Sequence, residues 1–120
     1  MAEHNDLGKK GEELALVHLK NKGYKILHQN WRFLKEEIDI IARTEKELVF
    51  VEVKTRSSNY FEAPEQSVTK SKQKFLINAA QAYIEKFNID LESRFDIIAI
   101  TAQNNTFVIN HIEEAFYPTL

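Results

Sequence analysis

Two carboxylates and a lysine lie where the sequence otherwise predicts apolar β-strands. Glu52 and Lys54 fall in the run LVFVEVK (residues 48–54), and Asp39 falls between two isoleucines in EIDII (residues 37–41). Because side chains alternate along a strand, Glu52 and Lys54 share one face, about 6.6 Å apart. Burying an unpaired carboxylate in a sheet would cost several kcal/mol, so a cation, a metal or strong hydrogen bonds must compensate Glu52.

The short polar turn at residues 44–47 makes these two strands antiparallel neighbours, so Asp39 and Glu52 can converge. Two carboxylates with open positions suit Mg²⁺ or Mn²⁺, which keep water ligands and share their coordination with phosphates. The backbone carbonyl of Val53 could supply a third ligand, and Lys54 could stabilise phosphorane charge or orient the attacking water. The residues therefore predict a Mg²⁺ or Mn²⁺ site for phosphodiester chemistry.

A third carboxylate comes from the first predicted helix. Glu12 shares one helical stripe with Gly8, Ala15 and Leu19, and so interrupts the face that should pack on the sheet. We expect Glu12 to reach the same site, directly or through water.

A structural interpretation of the same residues stays open. A Glu and a Lys two residues apart on a strand are more often a solvated edge or a structural ion pair than a catalytic site. Three interrupted apolar faces, with a lysine at the right offset, are much less expected by accident. The joint pattern therefore favours a functional site, with a structural Glu52–Lys54 pair as the competing hypothesis.

Basic residues near the start of the second helix are candidates for phosphate contacts. Arg56, Lys70 and Lys72 are predicted to bind nucleic acid by positioning its backbone without reading its sequence. Lys74 fits a solvated helix face at least as well. The aromatic pair Tyr60-Phe61 in the intervening loop could stack on bases.

Hydrophobic periodicity indicates the elements that must position these residues. The pattern predicts an α/β domain with a central mixed sheet, a helix on each side and the order α-β-β-β-α-β-β. Asp6 is a candidate N-cap for the first helix. The predicted helices span 7–22 and 67 or 69–87, and the predicted strands span 24–31, 37–43, 48–56, 94–101 and 106–111.

Composition agrees with one folded domain covering residues 1–120. The chain is 43% apolar and 28% charged and contains no cysteine, which excludes disulfides, thiolate nucleophiles and cysteine zinc sites. No apolar run approaches the ~20 residues of a membrane span, and the polar first residues do not resemble a secretory signal. We therefore expect a cytoplasmic protein that does not enter membranes.

The net charge of −2 does not by itself indicate nucleic-acid binding. The charge is uneven, however. Residues 1–35 carry seven Lys or Arg against four acids, and residues 54–74 carry five against two, whereas residues 85–120 carry two against six. A local basic surface with an acidic far side remains compatible with the sequence, because the local field matters more to steering than the total charge.

These residues resemble the PD-(D/E)XK nuclease superfamily, with Asp39 followed by Glu52-Val53-Lys54 as the core pattern. More narrowly, the chain resembles the YraN-type family of small bacterial endonuclease-like proteins, over nearly its whole length. The matching stretches are Gly8-x-x-Gly11-Glu12-x-x-Ala15, Gly23-Tyr24-x-Ile26-Leu27, Asn30-x-Arg32, Glu37-Ile38-Asp39-Ile40-Ile41, Val49-Phe50-Val51-Glu52-Val53-Lys54-Thr55-Arg56 and Arg94-Phe95-Asp96.

The resemblance implies a restriction-endonuclease-like fold, related to that of Holliday-junction resolvases. Carried over by position, it makes Asp39 and Glu52 metal ligands, Lys54 the catalytic lysine and Glu12 an accessory acid. Two positions depart from the pattern: Ile38 replaces the proline of the superfamily's name, and Glu36 stands where the family usually has glycine.

Three functional hypotheses follow. The first is a Mg²⁺- or Mn²⁺-dependent nuclease acting on DNA, including branched or flap structures. The second is a nucleic-acid binding module that cleaves poorly and partners a repair or recombination machine. The third is a structural or interaction protein in which Glu52 and Lys54 only pair with each other. A chain of this size covers little duplex, which makes a homodimer plausible.

Overall fold

The computed structural model describes residues 2–57, 63 and 67–118, with side chains from residue 6 onward. Neither helix of this described part has the length and apolar character that crossing a bilayer requires. The α/β class and the predicted order α-β-β-β-α-β-β are confirmed. The elements are α1 (Ala2–Asn21), β1 (Lys25–Phe33), β2 (Glu36–Arg43), β3 (Glu47–Ser57), α2 (Lys70–Phe87), β4 (Glu92–Gln103) and β5 (Thr106–Phe116).

The five strands form one mixed sheet in the order β1-β2-β3-β4-β5. Neighbouring strands are antiparallel except β3 and β4, which run parallel from the pair Glu47/Glu92 to the pair Ser57/Ala102. Parallel neighbours need a long crossover connection, and the segment containing α2 supplies it. This arrangement fits the restriction-endonuclease-like fold that the family resemblance implies.

The helices cover opposite faces of the sheet, and each face has its own apolar cluster. Because β3 and β4 lie inside the sheet, their successive side chains pack alternately into one cluster and the other. The α2 face includes Leu48, Phe50, Leu76, Tyr83 and Ile97. The α1 face includes Ala15, Leu19, Val49, Val51 and Ile98.

The structure corrects some predicted boundaries. Helix α1 begins at Ala2 rather than residue 7, so Asp6 lies inside the helix and is not its N-cap. Helix α2 begins at Lys70, after the N-cap Thr69, whose side chain accepts a hydrogen bond from the backbone of Lys72. Strand β5 continues to Phe116 past a register irregularity. The predicted loop aromatics Tyr60 and Phe61 lie outside the described residues.

Candidate metal centre

The site begins where β2 and β3 stop pairing with each other. Their register runs from Arg43/Leu48 to Ile40/Val51, after which β2 pairs with β1 and β3 pairs with β4. The backbone N–H of Val53, left without a strand partner on this side, donates a hydrogen bond of 2.8 Å to Oδ2 of Asp39. The carboxylate of Asp39 therefore fills the opening between the diverging strands.

Glu52 lies next to this opening. Strand alternation places it on the same face as Phe50, and the residue is only 7% exposed. Its Oε1 atom has no hydrogen-bond partner within the described part of the chain. Burial, together with repulsion from Asp39, raises the pKa of the Glu52 carboxyl to about 7, against the opposing effects of Lys72 and Lys54. A buried carboxylate oxygen without a partner indicates a place for a ligand.

The two carboxylates disturb each other's ionisation. Burial raises the pKa of Asp39, although the hydrogen bond from Val53 and the charges of Lys72 and Lys54 work in the other direction. The charge of Asp39 repels that of Glu52 and so raises the pKa of Glu52, whereas a hydrogen bond with Glu52 lowers the pKa of Asp39. A divalent cation between them would remove that repulsion, because metal binding favours the deprotonated ligands.

Two lysines approach the carboxylates from different elements. The ammonium of Lys54, on the same strand face as Glu52, lies 3.6 Å from Oε2 of that residue. Lys72 comes from α2 and lies 3.2 Å from Oε1 of Glu36, while its charge also acts on Asp39 and Glu52. The structure thus brings Lys72 to the predicted centre, whereas the sequence predicts it only as a phosphate contact.

Glu12 reaches the centre from the α1 side of the sheet. Burial raises its pKa, and repulsion from Asp39 raises it further, while a hydrogen bond with the side chain of Asn30 lowers it. Asn30 lies opposite Asp39, between the pairs Gln29/Ile40 and Trp31/Ile38, and has a φ of 50°. Asn is among the few residues that adopt this conformation readily.

The sequence pattern assigns Asn30 no role, although the residue lies in one of the stretches that match the family. A rare left-handed residue inside a strand is not recognisable from periodicity. Its only signal is an asparagine in an otherwise strand-like run.

A close contact between α1 and β3 holds Glu12 in this position. A Cβ atom added at Gly11 would come within 1.9 Å of Oγ1 of Thr55. Glycine therefore allows α1 to lie directly against β3, one residue before Glu12 in the helix.

The donor set fits Mg²⁺ or Mn²⁺. Asp39 and Glu52 offer hard oxygen atoms, and Oε1 of Glu52, which has no partner among the described residues, is available to a cation. In a strand the N–H and C=O of one residue point to the same side, so the carbonyl of Val53 also faces the opening. No group of three or more His, Cys, Asp or Glu side chains suited to a metal occurs in residues 6–57, 63 and 67–118. The predicted set of two carboxylates and a carbonyl leaves the remaining positions to water, as Mg²⁺ prefers.

The predicted phosphate contacts separate in the structure. Arg56 donates a hydrogen bond of 3.0 Å to Oγ of Ser67, which ties the end of β3 to the segment before α2. Lys72 faces the carboxylates, whereas Lys70 lines a groove with Lys74 on another side of α2. Of these candidates, Lys72 acts electrostatically on Asp39 and Glu52.

A second polar cluster lies near the opposite end of β3. Arg94 donates two hydrogen bonds to Asp96, of 2.9 and 2.8 Å, and one of 2.8 Å to Glu47. Nε2 of His111 is 2.7 Å from Oδ2 of Asp96, and Nε2 of His18 is 3.1 Å from Nδ1 of His111. Arg94 and Asp96, two residues apart in β4, therefore form a buried ion pair. Since the buried charges satisfy each other, this cluster supports the sheet.

Comparison with known proteins gives a consistent family result. The model described as "Uncharacterised protein family UPF0102" matches residues 11–100. Similar curated proteins, each named a UPF0102 protein, include one from Bacteroides thetaiotaomicron that is 52% identical and one from Phocaeicola vulgatus that is 49% identical. Both alignments cover 100% of this chain and 99% of the relative. A protein from Flavobacterium psychrophilum is 53% identical over 98% of each chain.

Proposed function

The chain belongs to the UPF0102 family, and we propose that it is a Mg²⁺- or Mn²⁺-dependent nuclease that cleaves DNA, including branched or flap structures. One observation carries the proposal: the buried carboxylate of Glu52 has an oxygen without a partner among the described residues, beside the half-buried carboxylate of Asp39. Structural ion pairs satisfy their buried oxygens, whereas ligand sites leave them available.

Two carboxylates and one backbone carbonyl would form the metal site. Asp39, Glu52 and the carbonyl of Val53 would hold the cation, which supplies an activated water and offsets charge on the phosphate. Glu52 must first lose its proton, because its pKa lies near neutrality in the metal-free protein. The hydrogen bond from Val53 keeps one oxygen of Asp39 fixed, so the other can turn to the opening.

Lys54 and Glu12 would act at the reacting phosphate from opposite faces of the sheet. Lys54 lies on the Glu52 face, where its ammonium would donate to a phosphate oxygen and stabilise the charge that develops during attack. Glu12 stands beside Asp39 on the α1 side and acts as an accessory acid that hydrogen-bonds water at the site. Lys72 adds a further positive charge from α2.

The proposal is tested by cleavage of duplex, flap and four-way DNA in Mg²⁺ or Mn²⁺. We expect Asp39→Asn and Glu52→Gln to reduce the rate by roughly 100-fold or more, because a catalytic metal contributes several kcal/mol. The exposed acids Asp90 and Glu45 provide matched controls, Asp90→Asn and Glu45→Gln, which should keep full activity. Full activity in either site variant would overturn the proposal.

A second function, nucleic-acid binding without cleavage, is favoured by one contact. Glu36 already pairs with Lys72 at 3.2 Å, which lowers the positive charge available to a scissile phosphate. Salt-dependent DNA binding with no turnover in either metal would select this alternative.

A further inference from the structure

A groove of about 440 Å³ lies between α2 and the end of the described chain. Its lining residues from α2 recur at helical spacing, so they form one stripe along the helix. Lys72 lies between the lining residues Lys70 and Gln73 in sequence, but it faces the carboxylates and is not part of this stripe. The groove is lined by Lys70, Gln73, Lys74, Ile77, Asn78 and Tyr117.

The charge of the groove suits an anion. Lys70 and Lys74 lie four residues apart, which separates them by roughly 6 Å along the helix axis. Both belong to the first turns of α2, whose first turn contains no acidic residue, so the positive end of the helix dipole adds to their charge. The side chain of Gln73 is held by a hydrogen bond of 3.1 Å to the carbonyl of Val68.

Tyr117 gives the groove an aromatic wall. The residue is 64% exposed, which is unusual for a large aromatic side chain. Its hydroxyl donates a hydrogen bond of 3.0 Å to Oε2 of Glu114, which restrains the ring. A restrained and exposed ring beside two lysines combines the stacking surface and the positive charge that single-stranded nucleic acids bind.

We propose that this groove binds an unpaired DNA strand, with a base stacked on Tyr117 and phosphates bound by Lys70 and Lys74. The volume lies within the range of pockets for small ligands, which fits a nucleotide rather than a duplex. Stacking on a ring also requires a base that is not already paired.

This inference rests on the proposed nuclease function and deepens it, because it assigns a substrate class. Lys72 approaches the candidate metal centre while Lys70 and Lys74 line the groove, so the first turns of α2 separate the two sites. A substrate with a single-stranded arm can occupy both at once: the arm lies in the groove, and the scissile phosphate lies at Asp39 and Glu52.

The test is fluorescence anisotropy of a labelled oligo-dT of about 12 nucleotides in EDTA, where cleavage cannot occur. We expect Tyr117→Ala to weaken binding about fivefold or more, whereas Tyr117→Phe, which keeps the ring but not the hydrogen bond to Glu114, should weaken binding less. Lys70→Ala/Lys74→Ala should lower the slope of log affinity against log salt by about 0.7 for each phosphate that the variant no longer binds. The matched control is Lys46→Ala/Lys86→Ala, which removes the same charge from two exposed positions elsewhere.

Each outcome separates the groove from the nuclease proposal. Selective loss of binding in the groove variants, with normal binding by the exposed-position variant Asp90→Asn, supports the groove whether or not the wild type cleaves. Equal loss of binding in the Lys46/Lys86 control, or unchanged binding by Tyr117→Ala, overturns it. If the wild type cleaves duplex DNA but does not bind oligo-dT, the groove proposal is wrong and the nuclease proposal stands.

Discussion

The backbone N–H of Val53 donates a hydrogen bond of 2.8 Å to Oδ2 of Asp39, at the point where β2 leaves β3. This hydrogen bond has two effects. It satisfies the N–H of Val53, which has no partner in β2 once the two strands diverge, and it places the carboxylate of Asp39 beside Glu52. The divergence of the strands, rather than the strand faces alone, assembles the candidate centre.

Substitution of Gly11 tests how closely α1 must approach β3. Gly11→Ala should lower the free energy of unfolding by about 1–3 kcal/mol, because its Cβ would overlap the side chain of Thr55. Gly8→Ala is the matched control: nothing lies within 4 Å of its added Cβ, so alanine should stabilise the helix by about 0.5–1 kcal/mol. Urea denaturation measures both. Equal effects of the two substitutions would contradict the close packing.

Much of the fold follows from the sequence because its signals are local and strong. The run at residues 48–54 has the composition of a buried strand, and its alternation places Glu52 and Lys54 on one face. The short turn before Glu47 then requires β2 beside β3, which places Asp39 near Glu52. Each of these steps depends on neighbours in sequence.

The remaining features depend on contacts between distant segments. The place where β2 leaves β3, the left-handed Asn30 opposite Asp39, and the rotation of α2 that separates Lys72 from Lys70 have no local signature. The Glu36–Lys72 pair likewise joins residues far apart in the chain. Such relationships are set by packing, which periodicity does not encode.

Glu52→Gln should stabilise the metal-free protein at pH 8. The native pKa is raised from 4.5 to about 7, so the native state keeps a proton that the unfolded state loses. Stability therefore falls as pH rises from 4.5 to 7, by roughly 3 kcal/mol at about 1.36 kcal/mol per pKa unit. Glutamine removes this cost, so urea denaturation should show a larger gain at pH 8 than at pH 5.

The same variant distinguishes a metal site from a structural ion pair. If Glu52 only paired with Lys54, removing its charge would destabilise the protein at pH 8, which is the opposite sign. Mn²⁺ should raise the melting temperature of the wild type but not of Glu52→Gln, since binding to the native state alone stabilises it. Glu45→Gln, at an exposed position, controls for the loss of one negative charge.

Glu36→Gln should strengthen DNA binding by releasing Lys72. The pair at 3.2 Å is half-exposed at Glu36, so its loss changes the free energy by at most about 1 kcal/mol, or up to about fivefold in affinity. The neighbouring Glu37→Gln removes the same charge beside Arg32, 3.8 Å away, and serves as the control. Anisotropy in EDTA measures both variants. An equal gain in the control would assign the effect to net charge rather than to Lys72.

His18→Gln should make the protein less sensitive to mild acid. Burial lowers the pKa of His18, and the neighbouring His111 and Lys22 lower it further, so the native residue stays neutral where the unfolded residue binds a proton. As pH falls below the ordinary value of 6.5, the unfolded state is favoured and stability is lost; above 6.5 this contribution is fully present. The surrounding groups that also carry charge are Arg94, Asp96 and Glu113.

Urea denaturation at pH 8 and pH 5.5 measures the prediction. The free energy of unfolding should differ less between the two pH values for His18→Gln than for the wild type. Identical pH differences in the two proteins would show that His18 is not the group that responds to acid.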